Sequence, residues 1–167
     1  KILLIDDNQM SIEMLGSIFY GFGARDRVKC LTLDDAKRII LNDIVDIIVL
    51  DGGFPNDGSL DFMRWLRREA PEPASYTPTI FVTGHSTKSA VRKARDSGAH
   101  FVLAKPITSN VLLSRLTWIA HERRQFIKND TYFGPDRRWR NVGVPPGTMG
   151  RRSTDLSADV GLAGQNM

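Results

Sequence analysis

Lys1-Ile2-Leu3-Leu4-Ile5-Asp6-Asp7-Asn8 is the stretch of sequence that decides the fold. Its four apolar residues predict a short strand that ends in two adjacent carboxylates. A second apolar run, at residues 47–50, leads directly into Asp51. Ionised carboxylates lie together at the edge of an apolar core only when a positive group compensates their charge. We therefore expect the function to reside where these two strands end.

The first 120 residues alternate short apolar runs with helical patterns. Apolar runs without polar alternation are typical of strands buried on both faces of a parallel sheet. They occupy residues 2–5, 28–31, 45–50, 79–82 and 101–103. Helical spacing occurs at residues 11–19, 36–41, 62–66, 91–95 and 110–121. Thr32, Ser59 and either Thr108 or Ser109 are predicted helix caps. The pattern predicts a doubly wound α/β domain with helices on both faces of the sheet.

Composition limits the class of protein. With 167 residues, of which 41% are hydrophobic, the chain can form one core and an appendage. No apolar run reaches the roughly 20 residues that span a bilayer, and the start shows no signal-peptide pattern. Cys30 is the single cysteine, which excludes an internal disulfide framework and a cysteine metal site. We expect a packed thiol in a cytoplasmic protein.

The charge and composition of the chain change near its last quarter. Of the net charge of +4, residues 121–167 contribute +3. Apolar periodicity stops after Phe126, and Gly, Pro, Arg and Asp dominate. We place the boundary between residues 122 and 128, which gives a domain at 1–122 and a basic, mostly irregular extension at 123–167.

Polar residues directly follow four of the predicted strands. They are Asp6 with Asp7, Asp51, Thr83 and Lys105. Ligand sites of doubly wound sheets form outside the carboxyl ends of the strands, so we expect all five to converge. Three carboxylates suit Mg²⁺, which keeps water and phosphate ligands. Asp51 stands alone after a central strand and is the predicted nucleophile. Asp6 and Asp7 are suited to holding the metal, whereas Thr83 and Lys105 would contact a phosphoryl group.

The order and spacing of these residues resemble the receiver domain of two-component response regulators. The matching segments lie within residues 1–122 and read Leu-Leu-Ile-Asp-Asp-Asn at 3–8, Val-Leu-Asp at 49–51 with Pro55, Val-Thr-Gly at 82–84, and Ala-Lys-Pro at 104–106. The resemblance implies a flavodoxin-like five-stranded parallel sheet in the order 2-1-3-4-5.

The resemblance also implies roles for the site residues. Asp51 would accept a phosphoryl group from a sensor histidine kinase or a phosphotransfer protein. The Mg²⁺ ligands would be Asp7, Asp51 and the backbone carbonyl of Gly53, with Asp6 helping through water. Thr83 and Lys105 would contact the phosphoryl oxygens, and the peptide bond before Pro106 would be cis. Such a protein is a phospho-acceptor switch that assists its own phosphotransfer and dephosphorylation, rather than an enzyme.

Three features depart from the family pattern. Asp57-Gly58 come one position earlier than the corresponding pair in the family, so the loop after Asp51 is shortened. The position of the family's switch aromatic is Val102, and the neighbouring Phe101 would point to the opposite face of the sheet. His85 lies near the site, where it could affect the access of water.

The output is predicted to be protein contact with a downstream target. The surface of the fourth helix, fifth strand and fifth helix would change on phosphorylation. The apolar positions of the last helix suggest a homodimer surface; they are Leu112, Leu116, Trp118 and Ile119. A receiver that is never phosphorylated and a phosphatase-like enzyme are less favoured alternatives.

The arginine-rich tail allows another interpretation. Arg137, Arg138 and Arg140 surround Trp139, a pattern that could bind nucleic acid by phosphate contacts and stacking. Interspersed aspartates weaken that interpretation. We instead expect Tyr132, Phe133 and Trp139 to anchor the tail on a receiver surface, its own or that of a neighbouring copy.

Overall fold

The computed structural model describes residues 1–84, 87–121 and 124–137. The strands are β1 (Ile2–Ile5), β2 (Arg27–Cys30), β3 (Ile47–Asp51), β4 (Thr79–Thr83), β5 (Phe101–Ala104), β6 (Phe126–Lys128) and β7 (Phe133–Pro135). The helices are α1 (Gln9–Gly21), α2 (Leu33–Asn42), α3 (Gly58–Arg68), α4 (Lys88–Asp96) and α5 (Ser109–His121), with a 3₁₀ turn at Ala74–Tyr76. The first five strands form a parallel sheet in the order β2-β1-β3-β4-β5. The predicted fold class and strand order are confirmed.

Side chains of the central strands fill both faces of the sheet. β3 and β4 are buried throughout, which explains their unbroken apolar runs. One face packs against α2, α3 and α4 through a cluster that includes Leu50, Phe62 and Phe81. The other face packs against α1 and α5 through a cluster that includes Val49 and Leu112. Among the described helices, none combines the length and apolar character needed to cross a membrane.

Most of the residues predicted to cap a helix do so in the structure. Thr32 accepts a hydrogen bond from the backbone N–H of Asp35, and Thr108 accepts one from Val111. The cap predicted at Ser59 is wrong, because α3 begins at Gly58 and its N-cap residue is Asp57. The Ser59 hydroxyl instead donates to the backbone carbonyl of Asp51 at 2.7 Å, which ties the start of α3 to the end of β3.

Cys30 lies buried at the end of β2. Burial raises the pKa of its thiol to about 11. Since the thiolate is the reactive form, Cys30 is an inert packing residue at neutral pH, as its position in an apolar run indicates.

An antiparallel hairpin, β6–β7, belongs to the same compact body, which runs from Lys1 to Asp136. It lies within the predicted extension and packs on the α/β body through aromatic rings. The Phe126 ring lies 4.9 Å from the ring of Tyr76 and 5.3 Å from that of His100. Phe133, one of the predicted anchors, is buried. Tyr132 is half-buried and its hydroxyl donates to the Pro135 carbonyl, whereas Trp139 lies outside the described residues.

Arg67 is buried beneath this hairpin, with 2% of its surface exposed. Its guanidinium donates to the backbone carbonyls of Gly98, Ser75 and Thr77 at 2.9 to 3.1 Å and to the Thr79 hydroxyl at 3.1 Å. The ring of Phe126 covers its outer side, 5.4 Å from the guanidinium carbon. Burial lowers the pKa of Arg67 to about 9, so the side chain remains charged at neutral pH. Arg67 thus joins α3, two loops and β4 through one side chain.

The hairpin approaches the body most closely at a pair of glycines. Gly98 adopts a φ of +95° after α4, and a Cβ there would lie 2.5 Å from the Phe133 carbonyl oxygen. A Cβ on Gly134 would lie 2.7 Å from the Gly98 Cα. Only glycine allows this left-handed turn and this separation together.

His100 gives the fold a predictable response to acid. Its Nδ1 accepts a hydrogen bond from the backbone N–H of Thr79 at 3.2 Å, which requires the neutral ring. Burial, with the charges of Arg67 and Arg124, lowers the pKa of His100 to about 3. Between that value and the ordinary pKa of about 6.5, the unfolded chain binds the proton and the folded chain does not, so stability falls as pH falls.

We expect His100→Gln to reduce this acid sensitivity. Lowering the pH from about 7 to about 5 should reduce the free energy of unfolding of the native chain by about 1–2 kcal/mol through His100. Urea unfolding at both pH values measures the difference, which should shrink in His100→Gln. His121→Gln, at an exposed histidine, is the control and should retain the native pH dependence. An equal pH dependence in all three proteins would contradict the assignment.

Candidate functional site: an acidic cluster at the carboxyl edge of the sheet

The ends of β1 and β3 bring three carboxylates together. Asp6, Asp7 and Asp51 each place one carboxylate oxygen within 4.8 Å of those of the other two. Asp6 is 1% exposed and Asp51 5%, whereas Asp7 is open to solvent. β1 and β3 are paired neighbours, so their final residues open onto the same edge of the sheet. The predicted convergence of the three acids is therefore present in the structure.

Asp6 has several hydrogen-bond donors. Its Oδ1 accepts from the backbone N–H of Asn8 at 2.9 Å, and its Oδ2 accepts from the Ser11 hydroxyl at 2.5 Å. Lys105 Nζ lies 3.1 Å from the same Oδ2. Ser11 was missed by sequence reasoning, although its place in the first turn of the helix after Asp6 is a usable signal. Because these contacts hold the Asp6 carboxylate in place, Asp6 is better suited to positioning Lys105 and a metal ion than to acting as the nucleophile.

Lys105 supplies the positive charge beside Asp51. Its side chain extends from the end of β5 past the end of β4, and its Nζ lies 2.6 Å from Asp51 Oδ1. Partial burial on its own lowers the pKa of Lys105, but hydrogen bonds and charge interactions with Asp51 and Asp6 outweigh it and raise the pKa above its ordinary value. The ammonium therefore stays protonated at neutral pH and lowers the electrostatic cost of the neighbouring carboxylates.

The loop after β3 shapes the other side of Asp51. The backbone N–H of Gly53 donates to Asp51 Oδ2 at 2.6 Å. A Cβ on Gly52 would overlap the ring of Phe81, so glycine is required there by close approach. Asn56 and Asp57 adopt positive φ values of 56° and 55°. Asn and Asp are the non-glycine residues that tolerate this region best, which lets the shortened loop turn into α3.

Thr83 completes the edge at the end of β4. It is buried, and its backbone carbonyl accepts from the N–H of Lys105 at 2.8 Å. The peptide bond between Lys105 and Pro106 is cis, as the resemblance implied. β4 lies between β3 and β5, so Thr83 and Lys105 occupy adjacent strand ends on the same side of Asp51.

The donor set fits a hard divalent cation. All three convergent side chains offer carboxylate oxygens, the ligands that Mg²⁺ prefers. Asp7 is exposed, which leaves room for water and for a phosphate ligand at the open side. When bound, Mg²⁺ would neutralise carboxylate charge and orient phosphoryl oxygens. Asp6, Asp7 and Asp51 are the side chains that would hold it. Gly53 contributes the amide contact described above, and a carbonyl ligand from it stays a prediction.

A family model for the response regulator receiver domain matches residues 2–117. The chain belongs to this family. Sensory/regulatory protein RpfC of Xanthomonas campestris pv. campestris is 26% identical over 128 residues, which cover 75% of this chain and 17% of RpfC. Chemotaxis protein CheY of Pseudomonas aeruginosa is 22% identical over 116 residues, covering 70% of this chain and 92% of CheY. This chain thus spans about a sixth of RpfC and most of CheY.

Solved structures support the receiver fold. The crystal structure of a putative response regulator from Chloroflexus aurantiacus matches with a TM-score of 0.66 at 22% identity, covering 72% of this chain and 97% of that one. Together with the family match, this shows that residues 2–117 form a response regulator receiver domain.

The switch position of this receiver lacks an aromatic ring. Val102 packs with the cluster on the α2, α3 and α4 face, in register with Phe81 on β4. Phe101 packs on the opposite face, where its ring meets Trp118 edge-on at 5.1 Å. The predicted reversal of Phe101 is present in the structure. His85, the remaining site residue singled out in the sequence, lies outside the described residues.

Proposed function

We propose that this receiver accepts a phosphoryl group on Asp51 in a reaction that depends on Mg²⁺. The observation that carries the proposal is the contact of the buried Asp51 carboxylate with the Lys105 ammonium, beside Asp6 and Asp7 at the end of β1. A carboxylate held in this way is available as a nucleophile, and the charge that arrives with a phosphoryl group meets a fixed cation.

Phosphotransfer would use the chain's own groups in defined roles. An Asp51 oxygen forms a bond to phosphorus while the P–N bond to a phosphohistidine donor breaks, and the leaving imidazole keeps the bonding electron pair. Lys105 would balance the charge on the transferred group, and the Thr83 hydroxyl would donate to a phosphoryl oxygen. Asp6 and Asp7 would hold Mg²⁺, which supplies further charge neutralisation when bound. Hydrolysis of the acyl phosphate by water would return Asp51 to its free form.

The partners follow from this chemistry. The phosphoryl donor would be a sensor histidine kinase or a phosphotransfer protein, and the output a contact with a downstream protein. Homodimerisation and a cytoplasmic location stay predictions. The dimer surface expected on α5 is wrong as assigned, because Leu112 is buried and Leu116 and Ile119 pack against the same core cluster. The protein would act as a switch rather than as an enzyme with external turnover. Nucleic-acid binding through the tail is the second candidate, and it rests on arginines that lie largely outside the described residues.

Phosphorylation of the full chain by acetyl phosphate tests the proposal. With Mg²⁺ present, intact-mass spectrometry should show the gain of one phosphoryl group, because Mg²⁺ and Lys105 together neutralise the acidic edge. Chelation with EDTA should remove most of this gain, and added Mg²⁺ should restore it. Mg²⁺ with inorganic phosphate in place of the donor is the control and should give no gain. A chain that gains no mass at any Mg²⁺ concentration would refute the proposal.

A further inference from the structure

A basic cleft lies between α3, α4 and the hairpin, away from the acidic cluster. Its volume is about 280 Å³. Its walls carry the cations Arg64, Arg68 and Lys93, with Arg67 buried behind them, and the acids Asp57 and Asp96. Leu60 and Phe133 also line it but are almost fully buried. The hairpin forms one end of the cleft, so the cleft depends on residues beyond the 2–117 segment that matches the receiver family.

The helix α4, from which Lys93 and Asp96 line the cleft, is strongly basic. α4 carries four cations, Lys88, Arg92, Lys93 and Arg95, against the single acid Asp96. Arg92 lies 3.8 Å from Asp96 and therefore compensates part of the negative charge of that carboxylate. Within the described part of the chain, Lys93 and Arg95 have no carboxylate within ion-pair distance, and both are exposed. The charge of Lys93 is therefore available to an anion in the cleft.

The same cleft adjoins a second cavity that reaches the phosphorylation site. This cavity, of about 350 Å³, is lined by Thr83 and Gly52 at one end. Leu60 and Lys93 line both cavities. Thr83 and Lys93 thus line one cavity, and a shift of Thr83 on phosphorylation would change the space beside Lys93.

We propose that this basic cleft is a docking surface for an acidic segment of a downstream protein, one that carries closely spaced carboxylates. Lys93 and Arg68 would pair with the carboxylates, and Arg64 would exchange its ion pair with Asp61 for one with the segment. Coupling of this docking to the phosphorylation state rests on the function proposed above; the docking itself does not.

Charge and shape favour a peptide over nucleic acid. Asp57 and Asp96 lie among the lining residues and would repel a backbone that carries a phosphate at every nucleotide. Phe133 is 5% exposed, so it offers no face on which a base could stack. An acidic peptide places charges at intervals and has backbone N–H groups that can donate to the exposed Asp57.

Peptide binding to the full chain tests this surface. The probe is a fluorescein-labelled peptide that repeats the unit Asp-Glu-Leu three times, and ¹⁵N-labelled protein locates the contact. Amide shifts should concentrate on α3, α4 and residues 131–133. The double variant Arg68→Glu with Lys93→Glu should weaken binding by about tenfold or more. The matched control Lys88→Glu with Arg95→Glu makes the same charge change on α4 outside the lining residues and should weaken binding less than about threefold.

The outcomes separate the docking surface from the phosphorylation chemistry. Equal weakening by both double variants, shifts confined to other surfaces, or tighter binding of an oligothymidylate of equal charge would each overturn the docking proposal. Phosphorylation with acetyl phosphate should change the peptide affinity, and the change should be absent in Asp51→Asn. If no phosphoryl group is incorporated while the peptide still binds the cleft, the proposed function fails and the docking surface stands.

Discussion

Asp51→Asn is expected to reduce phosphoryl incorporation from acetyl phosphate by about 100-fold or more. The amide has nearly the same shape but lacks an anionic oxygen, so it cannot form the acyl phosphate. Lys105 keeps its contact with Asp6, and the loss of one of three clustered carboxylates relieves repulsion among them. The variant should therefore remain folded. Acid-labile label and intact mass after incubation with Mg²⁺ measure the effect.

Two comparisons make this result specific. Asp7→Asn keeps the nucleophile and removes one expected metal ligand, so its phosphorylation should be slower and should recover as the Mg²⁺ concentration rises. Asp34→Asn changes an exposed acid on α2 and should behave as the native chain does. Equal acid-labile label in Asp51→Asn and the native chain would remove Asp51 from its proposed role.

Arg67→Met is expected to lower the free energy of unfolding by about 3–5 kcal/mol and the melting temperature by about 10 °C. The substitution preserves much of the side-chain length but removes every donor. The carbonyls of Gly98, Ser75 and Thr77 would then lie buried without the partner that satisfies them. Since the site lies at the opposite edge of the sheet, phosphorylation of the folded fraction should be unchanged.

Arg64→Met on the same helix is the matched control. Arg64 is 60% exposed and pairs with Asp61 one turn away, so its loss should cost less than about 0.5 kcal/mol. Arg67→Lys keeps the charge but cannot supply the planar fork of donors, and we expect a loss between those of the two methionine variants. Thermal and urea unfolding measure all three. Similar losses for Arg64→Met and Arg67→Met would show that burial of Arg67 contributes little.

The acidic site could be predicted from the sequence because the geometry of parallel strands determines where its residues lie. Parallel strands present their carboxyl ends at one edge, so Asp6, Asp51 and Lys105 converge although nearly a hundred positions separate the first from the last. Apolar runs located the strands to within one or two residues. The opposite packing of Phe101 and Val102 followed from the two-residue period of a strand.

The features that escaped prediction depend on contacts distant in sequence. Arg67 occurs in a charged helix and gives no local sign of burial, because its partners are carbonyls 8, 10 and 31 residues away. Ser59 has the right spacing for a cap, but the turn at Asp57 directs its hydroxyl back to β3. The hairpin has aromatic residues but weak strand periodicity. Its packing depends on contacts of Phe126 with Tyr76 and His100, which are distant in sequence, so the local pattern could not predict it.

The contact between Gly98 and Gly134 has a consequence for comparing receivers with one another. Two backbones that touch without intervening side chains cannot accommodate a larger residue on either side, so both positions are expected to be glycine wherever this contact is made. A receiver that bears glycine after its fourth helix and again in a short segment beyond its fifth is therefore a candidate for the same added hairpin. This pair of glycines offers a simple criterion for distinguishing such proteins from receivers that end with the last helix.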